Sequence, residues 1–268
     1  MNFAEENKDE TLFVKITNAK TRVKQQSQKL KCLCHSKTHL ILHGKTGYSS
    51  IMNIFVVRHG ETDWNKEFRL QGHTEIPLNE QGKEQAQKTA AGLVENGIFF
   101  DAVYSSPLSR AVETAQILSG FPREKIRTDS RIIELSFGKA EGTTPAERRK
   151  NPALSSMTDF FDAPEKYIAK DGAESLESAI KRTADFWENE IKPLENHLEN
   201  VLVSTHGGTL QSLLLHVDSR SLSHYWDVKI PNCSVNLVVL ERGVFRVEYT
   251  ARTFYSGAVI TDNTFFAK

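Results

Sequence analysis

From residue 52 onward, short apolar runs alternate with helical stretches, and this alternation restricts the fold more than any other feature of the chain. Ile54-Phe55-Val56-Val57 is apolar at every position, as a strand buried on both faces requires. A helix follows, with Asn79 as its N-cap after Pro77-Leu78. It runs through Ala86, Ala90 and Leu93 to a stop at Gly97. Ala102-Val103-Tyr104-Ser105 reads as the second strand. Ser106-Pro107 predicts a helix start with proline at the first helical position, and Ala111, Thr114, Ala115 and Leu118 form its inner face. Residues 126–128 and 132–135 read as extended. Residues 141–170, with Pro145, Pro152 and Pro164, read as an irregular helical excursion or lid. An amphipathic helix is predicted over 175–194, carrying Leu176, Ala179, Ile180, Phe186 and Trp187. Residues 200–204 read as a buried strand and 209–216 as a helix. Residues 236–240 and 244–248 read as a hairpin turned at Arg242-Gly243. The alternation predicts an α/β fold: a three-layer sandwich with a mostly parallel central sheet flanked by helices. Such sheets bind ligands beyond the carboxyl ends of their strands.

The first 51 residues read differently. They hold 9 Lys and Arg against 4 Asp and Glu, so this arm carries +5 and the remainder −5 in a chain of zero net charge. Apart from possible strands at 11–16 and 40–42, the arm reads as basic, Gln-rich and poorly structured or dispensable. Residues 52–268 form the expected functional domain, and the working protein is read as beginning at Met52. Zero net charge gives no general attraction to nucleic acid or anionic membrane. No stretch approaches the roughly 20 apolar residues that span a bilayer, and the acidic start is unlike a signal peptide. Three cysteines make no disulfide framework, so a reducing, cytoplasmic setting is expected. Cys32, Cys34, His35, His39 and His43 superficially resemble a zinc set, but their spacing is poor geometry for one, and no metal is expected there.

Three polar clusters each follow a predicted strand: Arg58-His59-Gly60, Ser105-Ser106-Pro107-Leu108-Ser109-Arg110, and Thr205-His206-Gly207-Gly208. In a parallel sheet they share one edge, so two arginines and two histidines face one crevice, with glycines that let backbone approach a ligand. This suits phosphate chemistry. Arg58 and Arg110 offer forked hydrogen bonds to phosphoryl oxygens. Helix starts after His59, at Ser106 or at Thr209 would present free N–H groups. A neutral imidazole can attack phosphorus, and a second, protonated histidine would stabilise the transferring group. Taken singly, each residue has another reading: a structural histidine, a surface arginine, a helix cap. Their joint occurrence after separate strands favours a site.

These segments resemble the signature of the histidine phosphatase superfamily, also called phosphoglycerate mutase-like. The resemblance begins with Arg58-His59-Gly60-Glu61-Thr62 and Asp63-Trp64-Asn65. It continues through Leu70-Gln71-Gly72-His73-Thr74-Glu75-Ile76-Pro77-Leu78-Asn79, Val103 to Ala115, Glu134-Leu135-Ser136-Phe137-Gly138, Glu141-Gly142, Asp171-Gly172-Ala173-Glu174-Ser175 and Ser204 to Gly208. It covers about residues 52–250; residues 1–51 have no recognised counterpart. It implies that His59 is the nucleophile and phosphohistidine carrier. Arg58, Arg110 and His206 would form the phosphate pocket, with Asn65 as a further donor and Gly207 beside it. Glu134 would be the general acid, then the base that activates water, a job that needs a carboxyl holding a proton before transfer. Gln71 and Thr74 are implied contacts to substrate beyond the phosphate, and Glu61 and Asp63 read as supporting residues. Ala173 stands where many members have glycine. The resemblance implies no metal or other cofactor.

The expected function is a metal-independent phosphomonoester hydrolase of the phosphatase branch, acting on a small metabolite as monomer or homodimer. The expected partner is a small phosphate ester, with no nucleic acid or membrane. A phosphoglycerate mutase, which returns the phosphoryl group to another oxygen of its substrate, is the alternative. The segment from Glu141 to Gly172 lacks the long insertion of the mutase branch. A catalytically silent phospho-ligand binding module is the third reading. The aromatics Phe160, Phe161 and Tyr167 of the lid read as packing residues more than substrate stackers.

Overall fold

The computed structural model describes residues 51–255. The basic arm, including the stretches 11–16 and 40–42 and the Cys32–Cys34 histidine cluster, lies outside the described residues. A central sheet of six strands has the order β3-β2-β4-β1-β5-β6, where β1 is Met52–Arg58, β2 Ala102–Ser105, β3 Arg127–Thr128, β4 Asn200–Thr205, β5 Val235–Glu241 and β6 Val244–Arg252. The pairs β2–β3, β2–β4 and β1–β4 are parallel. Strands β5 and β6 close one side antiparallel.

Alternation along β1 divides the core. Ile54 and Val56 pack with Val201, Val203, Phe186, Trp187, Leu210 and Leu213 on one face. Phe55 and Val57 pack with Leu202, Ala90, Leu93, Ala115 and Leu118 on the other. Successive side chains of a strand point to opposite faces, so an apolar run with no polar break demands a layer on each side. The helices that supply those layers are α2 (Glu80–Glu95) and α3 (Ser109–Ser119) on one face, α6 (Leu176–Phe186) and α7 (Gly207–Asp218) on the other. The short α1 (Asp63–Lys66) precedes them in sequence, and the short α4 (Pro145–Lys150) and α5 (Ser156–Asp162) lie between α3 and α6. The result is the three-layer sandwich expected.

Local signals hold in detail at several ends. Asn79 caps α2 by accepting from Gly82 N at 2.8 Å. The hairpin turns on Arg242 and Gly243, with φ of 54° and 75°, the two positive values that match the twist of paired strands. Ala173 causes no strain, because Asp171 and Gly172 occupy the left-handed positions of that turn (φ 52° and 86°).

Three expectations are corrected. Helix α3 begins at Ser109, with Leu108 as its N-cap and no side-chain capping bond. Ser106 instead extends the sheet, its N–H donating to Ser204 O at 2.9 Å. Residues 130–132 form a short 3-10 turn capped by Asp129, where strand was expected over 132–135. The long helix over 175–194 stops at Phe186 and continues as a π-turn, Trp187–Ile191, and a 3-10 turn, Lys192–Leu194. Pro193 lacks an N–H and its ring crowds the carbonyl four residues back, so the ladder changes register ahead of it.

The excursion forms helices α4 and α5 over a third apolar cluster. Phe160 is fully buried there and meets Phe137, Tyr167 and Trp226 edge-on at 5.2, 5.0 and 5.2 Å. Phe160 is thus a packing residue. Among the described residues no helix is long and apolar enough to cross a membrane.

Candidate active site

Register sets the centre of the site. Arg58 of β1 pairs with Thr205 of β4, so the next residue of each strand, His59 and His206, leave the sheet side by side. Their ring centroids are 5.1 Å apart. His59 Nδ1 lies 2.7 Å from the carbonyl oxygen of Gly60. A carbonyl only accepts, so Nδ1 carries the ring proton and the Nε2 lone pair is left as the nucleophilic position. Burial, then the charges of Arg110 and Arg58, hold the His59 pKa well below the ordinary value. The imidazole is therefore neutral at physiological pH, the form that can attack phosphorus.

Three side-chain N–H positions around it are buried without a partner: Arg58 Nε, Arg110 Nε and His206 Nδ1. The remainder of each group is anchored. Arg58 Nη1 donates to Ile230 O at 2.8 Å. Arg110, fully buried on α3, donates from Nη1 to Thr74 O (2.9 Å) and from Nη2 to Gly72 O (2.7 Å). Burial lowers its pKa to about 10, which leaves it a cation at neutral pH. His206 Nε2 meets Ser106 Oγ at 2.7 Å. When that hydroxyl donates to Nε2, Nδ1 carries the proton and is the free donor. Unpaired buried donors are costly, on the order of 1–3 kcal/mol each, and three beside one neutral histidine mark a place built for an anion.

The second histidine departs from expectation. Burial, then Arg110 and His59, hold the His206 pKa well below its ordinary value, so the ring is neutral, not the imidazolium expected. The charge of a bound phosphoryl group is what would favour its protonation.

Glu134 is buried at 6% exposure and docks on the start of α7. Its Oε1 accepts from Leu135 N (3.0 Å) and Thr209 N (2.9 Å), and its Oε2 from Gly208 N (3.1 Å). The Thr209 N–H expected to be free for phosphate is thus occupied by Glu134. Asn65 Oδ1 accepts from Thr62 N (3.2 Å), closing a capping box on α1, and from Asn232 Nδ2 (3.2 Å). These donors fix the amide so that its NH₂ end is the one available to a ligand. Gln71 is buried, its Oε1 taken by Thr62 Oγ1 at 2.9 Å and its Nε2 unpartnered. Gly207 opens α7 beside Arg58, where a Cβ would sit 3.6 Å from the free Nε. Thr74 is committed elsewhere: its hydroxyl donates to Glu141 Oε2 at 2.5 Å and its carbonyl holds Arg110.

Two residues of the site went unread in the sequence. Asn232 donates from Nδ2 to His59 O (2.9 Å) and Asn65 Oδ1 (3.2 Å). Glu141 was read only as part of a motif, yet its carboxylate gathers four donors from the loop around Thr74 and from Phe137. Neither has a local signal beyond its residue type. Among the described residues no group of three or more His, Cys, Asp or Glu side chains is arranged to hold a metal ion.

Comparison with known proteins shows the family and the fold. Residues 54–253 match the family model described as the histidine phosphatase superfamily (branch 1). A 2,3-bisphosphoglycerate-dependent phosphoglycerate mutase 2 from Latilactobacillus sakei is 30% identical over 200 residues, covering 65% of this chain and 87% of the relative. Among solved structures, Bacillus stearothermophilus YhfR superposes with a TM-score of 0.67 at 30% identity, over 74% of this chain and 95% of that one. A phosphoserine phosphatase from Entamoeba histolytica, in complex with 3-phosphoglyceric acid, superposes with a TM-score of 0.65 at 27% identity, over 75% and 98%.

Proposed function

The chain belongs to the histidine phosphatase superfamily, and from that membership we propose that it is a metal-independent phosphomonoester hydrolase working through a phosphohistidine on His59. The observation that carries the proposal is the set of three unpartnered buried donors, Arg58 Nε, Arg110 Nε and His206 Nδ1, beside a neutral His59. They supply the charge compensation that a transferring phosphoryl group needs.

In the first step the His59 Nε2 lone pair attacks phosphorus and the bond from phosphorus to the ester oxygen breaks. The Glu134 carboxyl gives its proton to the departing alcohol. In the second step the Glu134 carboxylate takes a proton from water, the hydroxide formed attacks phosphorus, and the P–N bond breaks to release orthophosphate and neutral imidazole. Asn65 and Gln71 donate to the phosphate or its neighbouring oxygens. The excursion over residues 141–172, which lacks the long insertion of the mutase branch, supports hydrolysis.

The second reading is a mutase, favoured by the 30% identity to the L. sakei phosphoglycerate mutase. Single-turnover reactions with radiolabelled 3-phosphoglycerate and with phosphoserine separate the two. Hydrolysis predicts acid-labile, base-stable labelling at His59 followed by stoichiometric orthophosphate. Interconversion of 2- and 3-phosphoglycerate faster than phosphate release would establish the mutase. Full phosphate release by His59→Ala from an aryl phosphate would overturn the mechanism in both forms.

A further inference from the structure

The loop Gly72-His73-Thr74-Glu75 meets Arg110, Glu134 and the start of α3. Its carbonyls at Gly72 and Thr74 accept from the two terminal nitrogens of Arg110. His73 Nε2 donates to the backbone carbonyl of Glu134 at 2.8 Å, and the Glu75 carboxylate accepts from Ser109 N at 3.1 Å, at the start of the helix that carries Arg110. One side chain outside the loop holds it. Glu141 Oε1 accepts from His73 N (3.0 Å) and Phe137 N (3.2 Å), and Oε2 from Thr74 N (2.9 Å) and Thr74 Oγ1 (2.5 Å).

We propose that Glu141 is a positioning residue for Arg110: its carboxylate fixes the two loop carbonyls that clamp the guanidinium and so aim its unpartnered Nε–H at the phosphate. The inference rests on the proposed role of Arg110 in phosphate binding. A guanidinium carries five N–H bonds in a rigid plane. With both outer nitrogens tied to carbonyls, its remaining direction is set by where those carbonyls stand. The carbonyl of Gly72 lies in one rigid peptide plane with the His73 N–H, which ends on Glu141 Oε1, and the Thr74 N–H and hydroxyl that end on Oε2 anchor the residue carrying the second carbonyl. Gly72 lets the carboxylate come this close, since a Cβ there would fall onto Glu141 Oε1. A carboxylate suits the task because it accepts at both oxygens. Burial disfavours its charge, and hydrogen bonds from Thr74, His73 and Phe137 outweigh that and hold its pKa below the ordinary value. In Glu141→Gln the amide nitrogen that replaces either oxygen would face a backbone N–H, so no orientation satisfies all four donors.

The test is a double-mutant cycle between Glu141→Gln and Arg110→Ala, read as kcat/KM for phosphoserine or an aryl phosphate and as inhibition by orthophosphate. Thermal unfolding of each variant runs alongside. Glu141→Gln alone is expected to lower kcat/KM and orthophosphate affinity, the former by about tenfold to a hundredfold, the scale of a misplaced donor. In the Arg110→Ala background the same change is expected to do almost nothing. Additive losses, or an unchanged Glu141→Gln, would overturn the positioning role while leaving Arg110 as a phosphate ligand. An active Arg110→Ala would instead overturn the reading of the phosphate pocket, and this inference with it. If Glu141→Gln does not fold, Thr74→Val removes one of the four bonds without a donor clash and runs in the same cycle. A loss of several-fold that vanishes with Arg110→Ala supports the proposal, and no loss or an additive one refutes it.

Discussion

Replacing Glu134 by glutamine separates the two jobs this side chain has in the proposed mechanism. The amide keeps the shape but has no acidic proton to give. For an alkyl phosphate such as phosphoserine, whose leaving oxygen must be protonated, kcat/KM should fall by about 10²–10⁴, the usual worth of a general acid. That corresponds to about 2.7–5.4 kcal/mol of barrier. For p-nitrophenyl phosphate the leaving group departs without help, and the loss should be less than about tenfold. Water attack still lacks its base, so phosphohistidine should accumulate, with a burst of nitrophenol near one equivalent per site. The same change has a structural cost. Both carboxylate oxygens accept backbone N–H groups at 2.9–3.1 Å, so an amide nitrogen meets a donor in either orientation. A cost of about 1–3 kcal/mol follows, and each kcal/mol lowers Tm by about 2–4 °C in a domain of this size. The assay is steady-state and rapid-mix kinetics with both substrates on protein shown folded by thermal denaturation. Equal losses on the alkyl and aryl esters would refute the role of Glu134 as acid.

Asn232→Ala should lower kcat/KM by about 5–30-fold, because it frees both the His59 carbonyl and Asn65 Oδ1, worth about 1–2 kcal/mol together; Asn232→Asp should be worse in the same steady-state assay, as a carboxylate would face two oxygen acceptors. Stability should fall on acidification. The folded-state pKa values of His59 and His206 are depressed by burial first, so below the ordinary histidine value near 6.5 the unfolded chain binds more protons. Their contribution is complete above about pH 6.5 and is lost as pH drops from there toward the depressed folded values. The slope is up to about 1.4 kcal/mol per pH unit for each group. Urea unfolding of ligand-free protein at pH 7.5, 6.5 and 5.5 measures it. A slope unaltered by His59→Asn would count against the buried neutral histidine.

Much of this architecture is legible in the chain because it depends on near neighbours. Unbroken apolar runs declare doubly buried strands, and Asn79 and Arg242-Gly243 declare their cap and turn. What was misread depends on distant partners. Ser106-Pro107 has the local signature of a helix start, but its N–H and hydroxyl are claimed by Ser204 and His206, the latter 100 residues away. Asn232 reaches across 173 residues to His59, and Glu141 across 67 to Thr74. No periodicity encodes such contacts. Glu134 became readable only through resemblance, since a glutamate after an apolar pair is ordinarily a solvent-facing strand end.

The in-register pairing of Arg58 with Thr205 has a consequence for how such a protein can change. The spacing of its two histidines is written in the ladder of two adjacent strands, and a slip of one residue would turn one ring to the opposite face. Beyond Glu141, the excursion over residues 145–170 leaves the sheet altogether and returns to it. It can be lengthened, shortened or exchanged without disturbing that ladder. Diversification of substrate is thereby uncoupled from preservation of the reacting pair, and directed evolution toward a new phosphate ester should place its library in the excursion and hold the strands constant.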